Sequence, residues 1–353
     1  MHHRALVLVG IVTLVAAVPA AGQEPAAEAH GQRTAPGGPP CCAGQPSASA
    51  AEAHDQTYTV PRTPDGQPDL QGFWTNQTYT PLERPDSVDK AFYTPEEAAA
   101  IEQGRADRET AQTVPGTIPD VHYDFTQFGL DRSQSTFARN LRTSLIVDPP
   151  DGRIPEMNAA GQRRAEERRA AREARGGQYD RAENLPLGAR CIVMRGAGPP
   201  MMNAGYNANY HIVQNRDHVM ILTEMIHDAR IIPLDGRPAP PAGARGWMGQ
   251  SRGRWEGDTL VVETTNFNGK NPFRGSGPAL EVTERFTRVA DDTMIYRFTV
   301  VDPETWDAPW TAEMPMKETI GPIFEHACHE GNYGLTNILA GAREEERRAA
   351  EGR

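Results

Sequence analysis

Glu284 is the residue whose setting most needs a chemical explanation. Along residues 280–289 side chains alternate faces with period two, so Leu280, Val282, Glu284 and Phe286 share one face, opposite Glu281, Thr283, Arg285 and Thr287. The strand expected over residues 293–301 sets Met294, Tyr296, Phe298 and Val300 on its apolar side. The spacing therefore predicts a carboxylate directed inward among hydrophobic groups. Burying an ionised carboxylate alone costs more than the net stability of a typical domain, so it must be paired, hydrogen-bonded or protonated. Arg230, Arg252 and Arg254 are cations on neighbouring elements. Such a pair serves either as a structural register device or as the charged wall of a ligand cavity, able to act as acid or base.

The second group is His227, in the run Met225-Ile226-His227-Asp228-Ala229-Arg230-Ile231-Ile232-Pro233-Leu234-Asp235-Gly236. The run reads as a strand over residues 226–232, closed by a turn at Asp235-Gly236. Alternation places Asp228 and Arg230 on one face and His227 on the other with Ala229 and Ile231, so His227 and Asp228 do not form a dyad. Either His227 or Arg230 then meets Glu284. Ile226 and Ile232 lie beside Asp228 and Arg230, so periodicity leaves the inward face open.

A third cluster is Phe324-Glu325-His326-Ala327-Cys328-His329-Glu330-Gly331-Asn332-Tyr333. On a strand His326 and His329 fall on opposite faces and do not chelate one ion; HExxH and paired CxxC motifs are also missing, so no metal site is predicted. His329 and Glu330 are expected to cap the terminal helix and steady a bridge at Cys328, and they join the candidate ligand contacts. Gly249-Gln250-Ser251-Arg252-Gly253 does not fit a nucleophile elbow. Gly196-Ala197-Gly198-Pro199-Pro200 is a turn and cannot open a phosphate-cradling helix. The sequence names no cofactor.

These groups need elements to position them. At 353 residues, with 38% hydrophobic residues and 33 glycines, the chain can build a substantial core. A net charge of −11 argues against nucleic acid or an anionic membrane surface as partner. Residues 1–22 read as a secretory signal: Arg4, then an apolar run over 5–18, then Ala20-Ala21-Gly22. That run is too short to span a bilayer, and no integral membrane segment is expected after cleavage. The expected location is periplasmic or secreted, where disulfides persist, and Cys191 with Cys328 is the expected bridge. Residues 23–58 are rich in Ala, Pro, Gly, Gln and Ser and read as a disordered linker.

From 59 to 345 the chain reads as one β-rich domain, with helical excursions near 94–108 and 158–175 and a frayed helical tail at 346–353. Thr94-Pro95-Glu96-Glu97 is a capping box. The second excursion carries six arginines against three glutamates between Arg163 and Arg175, without an apolar stripe, and is expected to be solvated. Short strands and tight turns follow Cys191: 210–214 with 219–225, 246–255 with 259–265, 280–289 with 293–301, then 310–318 and 323–328. A short strand is also expected at 141–147. The spacing predicts a mainly β fold with peripheral helices, an antiparallel meander forming a barrel-like or sandwich core.

Four segments together resemble a family of exported bacterial proteins. They are Pro68-Asp69-Leu70-Gln71-Gly72-Phe73-Trp74, the Met225–Gly236 run, Ser251-Arg252-Gly253-Arg254-Trp255-Glu256-Gly257-Asp258-Thr259-Leu260-Val261-Val262-Glu263-Thr264 and Ala327-Cys328-His329-Glu330-Gly331-Asn332-Tyr333. The resemblance implies export and a single unit over residues 61–345, and carries no activity with it.

Two function classes follow. One is a β-barrel-like protein binding a small, partly apolar ligand in a cavity lined by Tyr206, Tyr210, Trp255, Met294 and Tyr296. There Asp228, Arg252, His329 and Glu330 are further contacts, and Arg230 or Arg254 fixes an acidic group. The other is a cofactor-independent hydrolase, lyase or isomerase, with His227 and Glu284 as acid–base pair in the same cavity.

Overall fold

The structure, a computed structural model, describes residues 58–109, 138–194, 196–203 and 207–352. The expected leader, nearly all of the expected linker, and Tyr206 lie outside the described residues.

Ten strands form one antiparallel sheet. They are β1 (Gly72–Thr75), β2 (Ile146–Asp148), β3 (Asn209–Gln214), β4 (His218–Thr223), β5 (Ala229–Pro233), β6 (Gln250–Glu256), β7 (Thr259–Thr265), β8 (Glu281–Ala290), β9 (Thr293–Val301) and β10 (Trp310–Glu318). The order is β5-β4-β3-β1-β10-β9-β8-β7-β6, with β2 added to β10. The sheet curls into a nearly closed barrel, and its end strands β5 and β6 form the seam.

Each meander is built by local turn chemistry. Between β3 and β4 the Asn215 side chain accepts from the backbone N–H groups of Asp217 and His218. Between β6 and β7, Gly257 takes φ +60°, which a two-residue hairpin turn demands. The strand that unites the two meanders comes from the N-terminal motif: β1 lies between β3 and β10, pairing Trp74 with Tyr210 and with Glu318. Leu70 and Trp74 are fully buried, and Gln214 clamps the approach by accepting from Leu70 N–H and donating to Pro68 O. Arg288 lies over the Trp74 ring at 5.4 Å and donates to Asp69 O. Phe73 and Trp74 therefore anchor the body, as their sequence setting suggests.

The barrel interior is filled by side chains. Register sets Leu260, Phe286, Tyr296 and Met314 in one row and Val262, Glu284, Phe298 and Ala312 in the next, all buried. Aromatic contacts such as Phe286 with Tyr296 at 4.9 Å knit the rows together.

Helix α1 (Pro95–Glu109) starts on the expected capping box, with Glu97 N–H donating to Thr94 Oγ1 and Thr94 N–H to Glu97 Oε2. The arginine-rich helix α2 (Ala159–Glu173) is not simply solvated. Gly161 packs under Thr305, Arg164 bonds the Thr305 hydroxyl, and Arg168 donates to the carbonyls of Gly275 and Ser276. Guanidinium hydrogen bonds hold the helix to the body where an apolar stripe is missing.

Helix α3 (Tyr333–Ala350) is capped by Asn332, whose side chain accepts from Leu335 N–H, rather than by His329 or Glu330, which are exposed. The Cys191–Cys328 disulfide ties the segment before this helix to the body. Leu335 and Leu339 are half-buried, whereas Tyr333 and Ile338 face solvent. Three expected strands differ, one of them at 141–147, where only the end is strand, as Ile146–Asp148. Residues 323–328 are irregular, and the 226–232 segment becomes strand only at Ala229.

Candidate functional site

The late start of β5 has a local cause. Ile226 and His227 both sit at φ 62°, a left-handed conformation that a strand cannot contain and that is rare for a β-branched residue. Met225–His227 instead form one turn, closed by His227 N–H to Glu224 O and Thr223 N–H to Asp228 O. His227 is left exposed. Asp228 is half-buried, and that burial raises its carboxyl above the usual range although His227 pulls the other way.

From Ala229 onward alternation holds. Ile231 is exposed, while Arg230 and Ile232 point inward, which settles the open face of this segment. Arg230 reaches Glu284 as a fork: Nη1 to Oε1 at 3.1 Å and Nη2 to Oε2 at 2.5 Å. The two side chains are 3% and 0% exposed. Tyr296 donates its hydroxyl to Glu284 Oε1 at 2.8 Å and accepts from Met201 N–H. Arg230 Nη2 also donates to Ser251 Oγ, which shares a hydrogen bond with Thr264 Oγ1.

The network thus joins β5, β6, β7, β8 and β9 across the seam that lacks backbone pairing. Burial opposes the Arg230 charge, but the Glu284 carboxylate outweighs it and raises the guanidinium pKa. Burial, reinforced by Glu284, pushes the Tyr296 phenol well up; burial also raises Tyr210, whose hydroxyl donates to Gly196 O.

A cleft of about 350 Å³ opens at the same seam. Its walls come from β5, from β6, from the connection between them and from His218 at the start of β4. Ala229, Ile231, Pro233, Pro238, Pro240 and Met248 supply apolar surface. Arg230, Arg237 and Arg252 supply donors and positive charge, with His218, Gln250 and Ser251 beside them. At Gly253 the seam narrows, since a Cβ there would sit 2.7 Å from Leu234 Cδ2 and 2.9 Å from Ile232 Cγ2.

The sequence-predicted residues divide accordingly. Arg230 and Arg252 line the cleft. Tyr210, Tyr296 and Met294 fill the barrel interior, and Trp255 packs against that core. Arg254 is exposed and engaged by Glu256 and Glu263. Asp228, His227, His329 and Glu330 are not among the cleft-lining residues. His227 and Glu284 are not brought together: one is exposed on a turn, the other is sealed in the core and already accepts from three donors.

Sequence pattern does not mark His218, Arg237 or Ser251 as site residues. A signal did exist in Pro233, Pro238, Pro240 and Pro241, because proline marks where sheet pairing stops.

No family model matches the chain, and no curated protein matches it significantly. Among solved structures, a mutant of the fluorescent protein UnaG is similar at 14% identity and a TM-score of 0.22, over 38% of this chain and 87% of that one. A likeness this distant assigns no ligand. Among the described residues no helix is long and apolar enough to cross a membrane, and no group of His, Cys, Asp and Glu side chains could hold a metal ion.

Proposed function

We propose that the chain is an exported β-barrel protein that binds a small, partly apolar ligand in the cleft between β5 and β6. The supporting observation is the cleft itself. Its volume of about 350 Å³ suits a small organic molecule, and its walls combine apolar side chains with a comparable share of polar groups. The barrel interior is already packed, so the ligand belongs at the seam rather than inside. Ile231, 57% exposed and on the cleft wall, is an apolar side chain turned outward from an end strand, where water is its alternative neighbour.

Titration with the neutral fluorescent probe phenylnaphthylamine tests this reading. Saturable one-to-one binding is expected, with loss of affinity in Ile231→Asp and no change in the unfolding transition. Probe binding that never saturates, or that the variant leaves untouched, refutes the site.

A further inference from the structure

We infer that the ligand of this cleft is an organic monoanion, a small carboxylate on an apolar body, with Arg252 receiving the carboxylate. This rests on the cleft being the binding site. The chain carries a net charge of −11, yet none of the described residues lining the cleft is acidic. Three arginines and a histidine line it instead.

The three guanidinium groups are not equivalent. Glu284 neutralises Arg230 through the buried fork. Arg237 is held by Asp235 at 2.6 Å, an ion pair that lowers the Asp235 carboxyl to about 2. Arg252 faces Glu263 across the β6–β7 ladder, but that carboxylate is taken by Arg254 at 2.6 Å. Arg252 is therefore left without a carboxylate partner among the described residues.

One unneutralised guanidinium on a half-buried wall calls for one negative charge, and its planar fork matches a carboxylate. Ala229, Ile231, Pro233 and Met248 then cover the apolar remainder of the molecule. A polyanion would meet too few free cations here, and a neutral ligand would leave the Arg252 charge partly desolvated without compensation.

Octanoate and octanol, which share a chain and differ in charge, separate the possibilities by titration calorimetry. Octanoate is expected to bind about tenfold or more tightly than octanol, the ratio that one charge-assisted hydrogen-bonded contact supplies. In Arg252→Gln that preference should fall close to unity, and Arg252→Lys should keep part of it. Arg252 is only half-buried, so these variants are expected to fold, and their unfolding midpoints check this. Equal affinity for both probes, or a preference that survives Arg252→Gln, overturns the anion assignment while leaving the cleft as the site. If neither probe nor phenylnaphthylamine binds, the site itself is wrong and the inference falls with it.

Discussion

Replacing Glu284 by glutamine tests whether the network at the seam is a true buried ion pair. The change keeps the side-chain volume and removes the charge. Arg230, 3% exposed and held charged by its partner, then keeps a cation in the core with no carboxylate opposite. Tyr296 keeps an amide oxygen to bond, so the loss concentrates on the guanidinium. Breaking such a pair from one side costs about 3–5 kcal/mol. In a body of this size that is a fall in Tm on the order of 10 °C.

Removing both partners behaves differently. Arg230→Met with Glu284→Met replaces two desolvated charges by apolar groups, and is expected to lie within about 2 kcal/mol of the parent. Urea unfolding of the parent, both single variants and the double variant gives the coupling energy. The expected coupling is about 2 kcal/mol or more, because each single variant strands the other residue's charge. Two results would refute the reasoning: a loss below about 1 kcal/mol in Glu284→Gln, or single effects that simply add.

Two further expectations concern the seam and the core. Gly253→Val should destabilise by about 1–3 kcal/mol, because its Cβ would meet Leu234 and Ile232 across the seam; a variant with the parent's urea midpoint would show that the seam is not closed there. The buried phenols of Tyr210 and Tyr296 both have folded pKa values raised above the ordinary 10.0. Their stabilising contribution is thus complete below about pH 10 and is lost as pH rises through the folded values. In alkaline titration their phenolate absorbance should appear together with unfolding, and reversible titration of every tyrosine in the folded protein would contradict this.

Much of the candidate network was legible in sequence. The alternation of Leu280, Val282, Glu284 and Phe286 against Met294, Tyr296, Phe298 and Val300 placed the carboxylate inward, because a two-residue period is a property of extended backbone itself. The same rule failed at His227, where left-handed backbone at Ile226 and His227 replaces extension by a turn. Sequence leaves the partner of Glu284 open among Arg230, Arg252, Arg254 and His227, since these differ in where their strands sit rather than in local pattern. Asn332 took the cap expected of its neighbours His329 and Glu330, and that depends on how the chain leaves the disulfide.

By itself, then, the sequence determined the hairpins, the mainly β class, the α1 capping box and the need for Glu284 to have a partner. Each of these depends on interactions within a few residues or between adjacent strands, which periodicity and turn chemistry encode directly. Tertiary structure alone decided that β1 bridges the two meanders, that Arg230 is the partner of Glu284, and that a cleft opens where β5 meets β6. Those outcomes depend on how the whole sheet curls and where its ends meet, a sum of twist and packing over ten strands. No short stretch of residues carries that sum. Arg252 shows the difference: in sequence it is one of several arginines, and only the neighbouring pair of Arg254 with Glu263 leaves it without a carboxylate on the wall of a cleft.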